Sequence, residues 1–379
     1  MFPRFSRVAV GGLFLGVALG ASPALAADAK QIADAIVAAV SASGKTQATY
    51  EDASASGDDV TITGYTMTKT DGGDTMTIPT ITITGAAPRD KGGFTAARMT
   101  FDDGTMTTDD NKITWQTGSL ADATVPSPDE IKAKAKLRPF SKLDISGINV
   151  SGGDLAAPLD ISSLGVAIDV EADGTPRDFV LDIASIKVPP EVFAGEPQQQ
   201  AVLDALGYNS GFVVNVGVAG GYATATDTLT LRNFTIDTAD VGKLDISGEF
   251  SGVSLSKLIS DQSEDIASTA KLDGLTIRFD NAGIVERALD MQAKMMGASR
   301  DDVVAQIGGA LPFMLNAIGN QPLQDKVATA GQAFLKDPKS VTISAKPASP
   351  VPFGEIMSTG MSAPNTLPDL LVVDVTANN

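Results

Sequence analysis

Along most of the chain apolar and polar residues alternate with a period of two, the pattern of strands that bury one face and wet the other. Leu244, Ile246 and Phe250 share one side, while Lys243, Asp245, Ser247 and Glu249 share the other. The same alternation runs through Leu164, Val166, Ile168 and Val170, through Phe179, Leu181 and Ile183, and through Leu275, Ile277 and Phe279. Segments 213–218, 229–236 and 243–250 predict a three-strand antiparallel meander, with turns near Gly220-Gly221 and Asp240-Val241-Gly242. The hexapeptide Lys-Leu-Asp-Ile-Ser-Gly stands at 142–147 and again at 243–248, each time at the start of a strand. Nearer the N-terminus, Val60-Thr-Ile-Thr-Gly64 and Ile81-Thr-Ile-Thr-Gly85 are near-copies on either side of a turn at Asp71–Asp74.

Helical spacing interrupts this pattern in a few places. Ile32, Ile36, Ala39 and Val40 predict a helix over 28–42, ended by Gly44. Ser127, Pro128 and Glu130 carry a helix-start signature within a connecting segment, 126–139, with Lys134 one turn beyond Glu130. The basic alternation Lys132, Lys134, Lys136 and Arg138 fits a solvated linker better than an anionic-headgroup contact. Pro189-Pro190 stops a strand, and a small helix over 198–206 follows.

Residues 281–337 differ in kind. One amphipathic helix carries Ile284, Val285, Ala288, Leu289, Met295 and Met296 and ends at Gly297. A second, capped by Ser299, is expected to kink at Pro312, and a third starts at Pro322. Together they read as a cap on the sheet. Met291, Met295, Met296, Phe313 and Met314 form either the core packed against that sheet, the preferred reading, or an adaptable apolar surface. Strands are expected again at 341–345 and 370–375. The fold class is therefore α+β and mainly β: an extended curved antiparallel sheet with a three-helix insert near the C-terminus. The expected organisation is an N-terminal β-rich region 27–125, the linker 126–139, and a C-terminal β-rich region 140–379.

The first residues change the setting. Arg4 and Arg7, an uncharged apolar stretch 8–20 and the small-x-small site Ala24-Leu25-Ala26 make a signal peptide cleaved after Ala26, which places the mature chain in the periplasm. The later apolar run 370–373 is flanked by Asp369 and Asp374, so no integral membrane span is expected in the mature chain. A net charge of −18 argues against nucleic acid and against broad adhesion to anionic lipid.

The chain has no Cys and no His. Disulfides, thiolate and imidazole metal sites, cysteine nucleophiles and Ser-His-Asp triads are thereby excluded. Gly44-Lys45-Thr46 echoes a phosphate loop but follows a helix where a strand is required. Ser254-Leu-Ser-Lys257 matches Ser-x-x-Lys without its companion motifs. The acid pairs 58–59, 102–103, 109–110 and 301–302 lack calcium-loop spacing and read as turns and a helix start. No cofactor is expected.

The runs 226–253, 272–313 and 333–357 resemble a group of uncharacterised proteobacterial envelope proteins, and their strand–turn–strand rhythm is more distantly similar to AsmA-like repeat-strand proteins. The close resemblance covers roughly residues 140–379. The AsmA-like similarity implies a long curved sheet with an apolar inner groove that handles lipid. The chain lacks the N-terminal anchor of those proteins and is short, which leaves a shuttle or chaperone. The expected function is a non-catalytic binding protein for an apolar envelope ligand, lipid above all. Its candidate contact residues are Leu229, Leu231, Leu244, Ile246, Phe250, Leu275, Ile277, Phe279, Met295, Phe313 and Met314. The alternative is a structural adaptor that recruits an envelope protein through its sheet edges.

Overall fold

The computed structural model describes residues 29–153, 155–171, 174–193, 197–254 and 266–379. The expected leader, its expected cleavage site and most of the Ser-x-x-Lys motif lie outside these residues. The chain starts with helix α1 (Ala29–Ser41) and then forms β1 (Thr46–Thr49), β2 (Asp52–Ser56), β3 (Asp59–Lys69), β4 (Thr75–Thr84) and β5 (Ala87–Pro88). β6 (Phe94–Asp102), β7 (Thr105–Thr107), β8 (Asn111–Thr114) and β9 (Thr117–Val125) follow. After helix α2 (Pro128–Lys132) come β10 (Lys142–Gly152), β11 (Leu159–Val170) and β12 (Pro176–Val188), then helix α3 (Pro197–Leu206). β13 (Phe212–Ala223), β14 (Thr228–Thr238), β15 (Gly242–Ser251), the short helix α4 (Ile266–Thr269) and β16 (Lys271–Asn281) complete the meander's middle. The helical insert holds α5 (Ile284–Met296), α6 (Arg300–Leu315) and α7 (Gln321–Lys336). β17 (Ser340–Ala345), β18 (Val351–Pro352), α8 (Phe353–Ser362), α9 (Leu367–Leu370) and β19 (Val373–Ala377) end the chain.

All these strands join one large curved sheet. Every pairing is antiparallel, and from β10 to β17 each long strand pairs with its successor in sequence. Short strands continue one another along a shared neighbour: β1 and β2 beside β3, β6 and β7 beside β4, β8 and β9 beside β10. The near-copies at 60 and 81 sit opposite each other, with Val60 against Ile83 and Ile62 against Ile81.

Cover over the apolar face is uneven. α1 lays Ile32, Ala33 and Ile36 on the first strands, and the resulting core includes Ile62 and Ile83, both 0 % exposed. α5 and α6 build a separate small core from Leu289, Ala293 and Val303. Val285, Val304, Ile307 and Leu335 pack around it. α7 runs beside the last edge strand, where Lys326 pairs with Asp374 and donates to the Val373 carbonyl.

Several local expectations change. α2 has the capping box between Ser127 and Glu130, but Lys134 lies past the helix end at φ 51°. The Glu130 carboxylate instead receives both terminal nitrogens of Arg89, at 2.8 and 2.9 Å. α6 continues through Pro312, and the Gly308 carbonyl that a proline cannot serve accepts from Gln332 Nε2 of α7. Residues 367–370 are helical, not strand, because Pro364 and Pro368 each open a helical turn; β19 starts only at Val373, after Val372 at φ 49°. α8 went unforeseen, although Phe353, Ile356, Met357 and Met361 recur at helical spacing.

Candidate functional site

Cross-strand register places the apolar residues in continuous rows. One row reads Leu120, Leu143, Val166, Leu181, Val218, Phe234, Ile246, Ile277, Ile343 and Val375, each opposite the next. Its nine steps at about 4.8 Å give a contour of roughly 43 Å. A parallel row runs through Ile145, Leu164, Ile183, Val216, Ile236, Leu244, Phe279 and Val341. The opposite face is polar, with Asp144, Asp182, Asp245 and Arg278.

From β11 to β16 the row residues are only half-buried, in contrast to the core under α1. Ile343 on β17 is 44 % exposed. The face is closed locally at its two ends. At one end Tyr208 is buried, donates to the Asp240 carbonyl at 2.8 Å and lies 4.6 Å beneath the Arg287 guanidinium. At the other, Tyr222 donates to Asp227 and to the Val253 carbonyl, and Phe250 stacks on Phe353 of α8 at 6.2 Å.

Eight of the sequence-derived contact residues fall on this face: Leu229, Leu231, Leu244, Ile246, Phe250, Leu275, Ile277 and Phe279. Leu231 and Phe234 both reach it although they stand three positions apart, because a bulge between them shifts the register. Met295, Phe313 and Met314 lie elsewhere. They project from the helical insert, with Phe313 86 % exposed, and the insert buries Leu289, Ala293 and Val303 instead. The expected packing of these methionines on the sheet is not what the helices do.

Where the α1-covered strands meet β10 and β11, the rows run into an apolar cavity of about 660 Å³. Ile145, Ile148, Ile161 and Leu164 all line it. Their spacing of three breaks the period of two, and the break has a visible cause. Gly147 sits at φ 63° and Ser185 at φ 52°, and the pairings of Gly147 with Ser162 and of Ser162 with Ser185 are skipped. These aligned irregularities bring two successive isoleucines to one side and sharpen the local twist. The cavity wall also holds Trp115, whose Nε1 donates to the Phe101 carbonyl at 3.0 Å and whose ring meets Phe101 edge-on. Gly104 makes room for that indole: a Cβ there would stand 1.8 Å from the ring. None of the cavity residues appears in the sequence-derived set, since nothing in the alternation distinguishes covered strands from open ones.

Glu130 is lowered to about 2 by Arg89 and by the Ser127 amide, and Asp169, Asp290 and Asp302 are lowered by Arg177, Arg300 and Ser299. Tyr65, in the cavity wall, is raised to about 12 by burial. Among the described residues no group of three or more carboxylates could hold a metal ion. No helix among them is long and apolar enough to cross a membrane.

A family model described only as "Uncharacterized protein" matches residues 235–378, from the middle of β14 to the end of β19. No curated protein matches the chain.

Proposed function

We propose that the protein is a non-catalytic carrier for an apolar ligand of the cell envelope, a lipid, held along the half-buried face of β10–β17 in the periplasm. The observation that carries this reading is the row of apolar side chains that the described residues leave half-buried and without a second layer. A monomer rarely leaves so long an apolar surface bare, and such surfaces mark interaction sites. The apolar cavity at one end lies within the size range of ligand sites, about 300–1,000 Å³. The shifted carboxylates are all held ionised by partners, the opposite of what a general acid at neutral pH needs.

Ile246→Glu tests the reading in the middle of the row. The half-exposed site should accept the charge with the fold intact by circular dichroism, while displacement of a fluorescent fatty acid falls at least tenfold. A folded variant that binds as wild type would refute the carrier role of this face.

A second reading has its own support. Phe313 at 86 %, Met361 at 87 % and Met295 at 75 % exposure place apolar knobs on the helices beyond the sheet. They suit an adaptor that docks on another envelope protein. Crosslinking from position 313 to one abundant partner, in a protein that carries no lipid, would favour that role.

A further inference from the structure

Tyr65 lines the 660 Å³ cavity, and among the described residues its wall carries no charged side chain. An ionised headgroup cannot enter such a wall without losing its hydration uncompensated. An alkyl chain can, and the rows through Leu143 and Leu164 lead directly from the open face into the cavity.

We propose that this cavity is the blind end of the groove and takes the tail of an acyl-chain amphiphile. The headgroup stays outside, on the open sheet. This rests on the carrier reading and adds to it the direction of the ligand. Tail-first entry also accounts for a cavity lined by apolar side chains while the rest of the groove is half open.

Trp115 is the chain's one tryptophan and stands in the cavity wall, so it reports occupancy without any substitution. Full-length mature protein is titrated with dibromostearate, whose bromines quench indole on contact, and stoichiometry is followed by native mass spectrometry. Bound dibromostearate with strong Trp115 quenching is the expected result. Bound dibromostearate without quenching overturns the blind-end assignment and leaves the groove reading standing. No binding of any fatty acid overturns both.

Discussion

Lys-Leu-Asp-Ile-Ser-Gly occurs in two places and meets two fates. In β10 its Leu143 and Ile145 line a cavity shared with the α1-covered strands; in β15 its Leu244 and Ile246 lie half-buried on a face that has no second layer among the described residues. The glycines diverge too: Gly147 takes φ 63°, and Gly248, which is not among the positive-φ residues, pairs with Leu231 and Leu275 beside the bulge. Identical residues form identical strands with the same sidedness, and the lysine of each copy pairs with its own aspartate. What covers the apolar side is decided by distant segments. α1 supplies a lid to the first strands, while the insert 284–336 spends its apolar residues mainly on itself. One part of the sheet thus has a covered core around an apolar cavity, and the other keeps its apolar row half-buried.

The sharpest way to break that contrast is to truncate matched isoleucines. Ile83→Ala, in the closed core, should lose about 2–5 kcal/mol in urea unfolding. Ile246→Ala, half-exposed on the open face, should lose only about 1 kcal/mol. Equal losses would mean that the open face is packed after all. Next in size, Gly104→Ala should cost about 1–3 kcal/mol by displacing the Trp115 ring, visible as a shift in its fluorescence. Gly309→Ala, with open space around its α position inside α6, should stabilise by about 0.5–1 kcal/mol.

The smallest effects are in pH. Folding lowers Glu130, so its contribution is complete above the ordinary carboxylate range and is lost as pH falls from about 4.5 to about 2. Arg89→Ala should flatten that acid limb of the stability profile. Folding raises Tyr65, so the native state keeps a proton that the unfolded chain releases. Stability should therefore fall as pH rises from 10 to about 12, and Tyr65→Phe should remove this alkaline limb.

Much of the sheet was legible in the sequence because antiparallel strands with one wet face write their sidedness as alternation. The meander from Phe212 to Ser251, the capping boxes at Ser127 and Ser299 and the stop at Gly297 are all visible there. Three things were not. The left-handed Gly147 places Ile145 with Ile148, a bulge places Leu231 with Phe234, and a period-two reading assigns the members of each pair to opposite faces. The Arg89–Glu130 contact joins residues 41 apart, which no local rule connects. Cover is a tertiary property, so Met295, Phe313 and Met314 read the same whether they pack or project. The candidate groove was therefore readable strand by strand, and its blind end was not.

The central claim is that the open face is occupied in the cell. Native mass spectrometry of mature protein isolated from the envelope, alongside Ile246→Glu, tests it most directly. The wild type should carry adducts of lipid mass that collisional activation releases, and the folded variant should lack them. Bare wild-type protein, or adducts unchanged in the variant, would contradict the account.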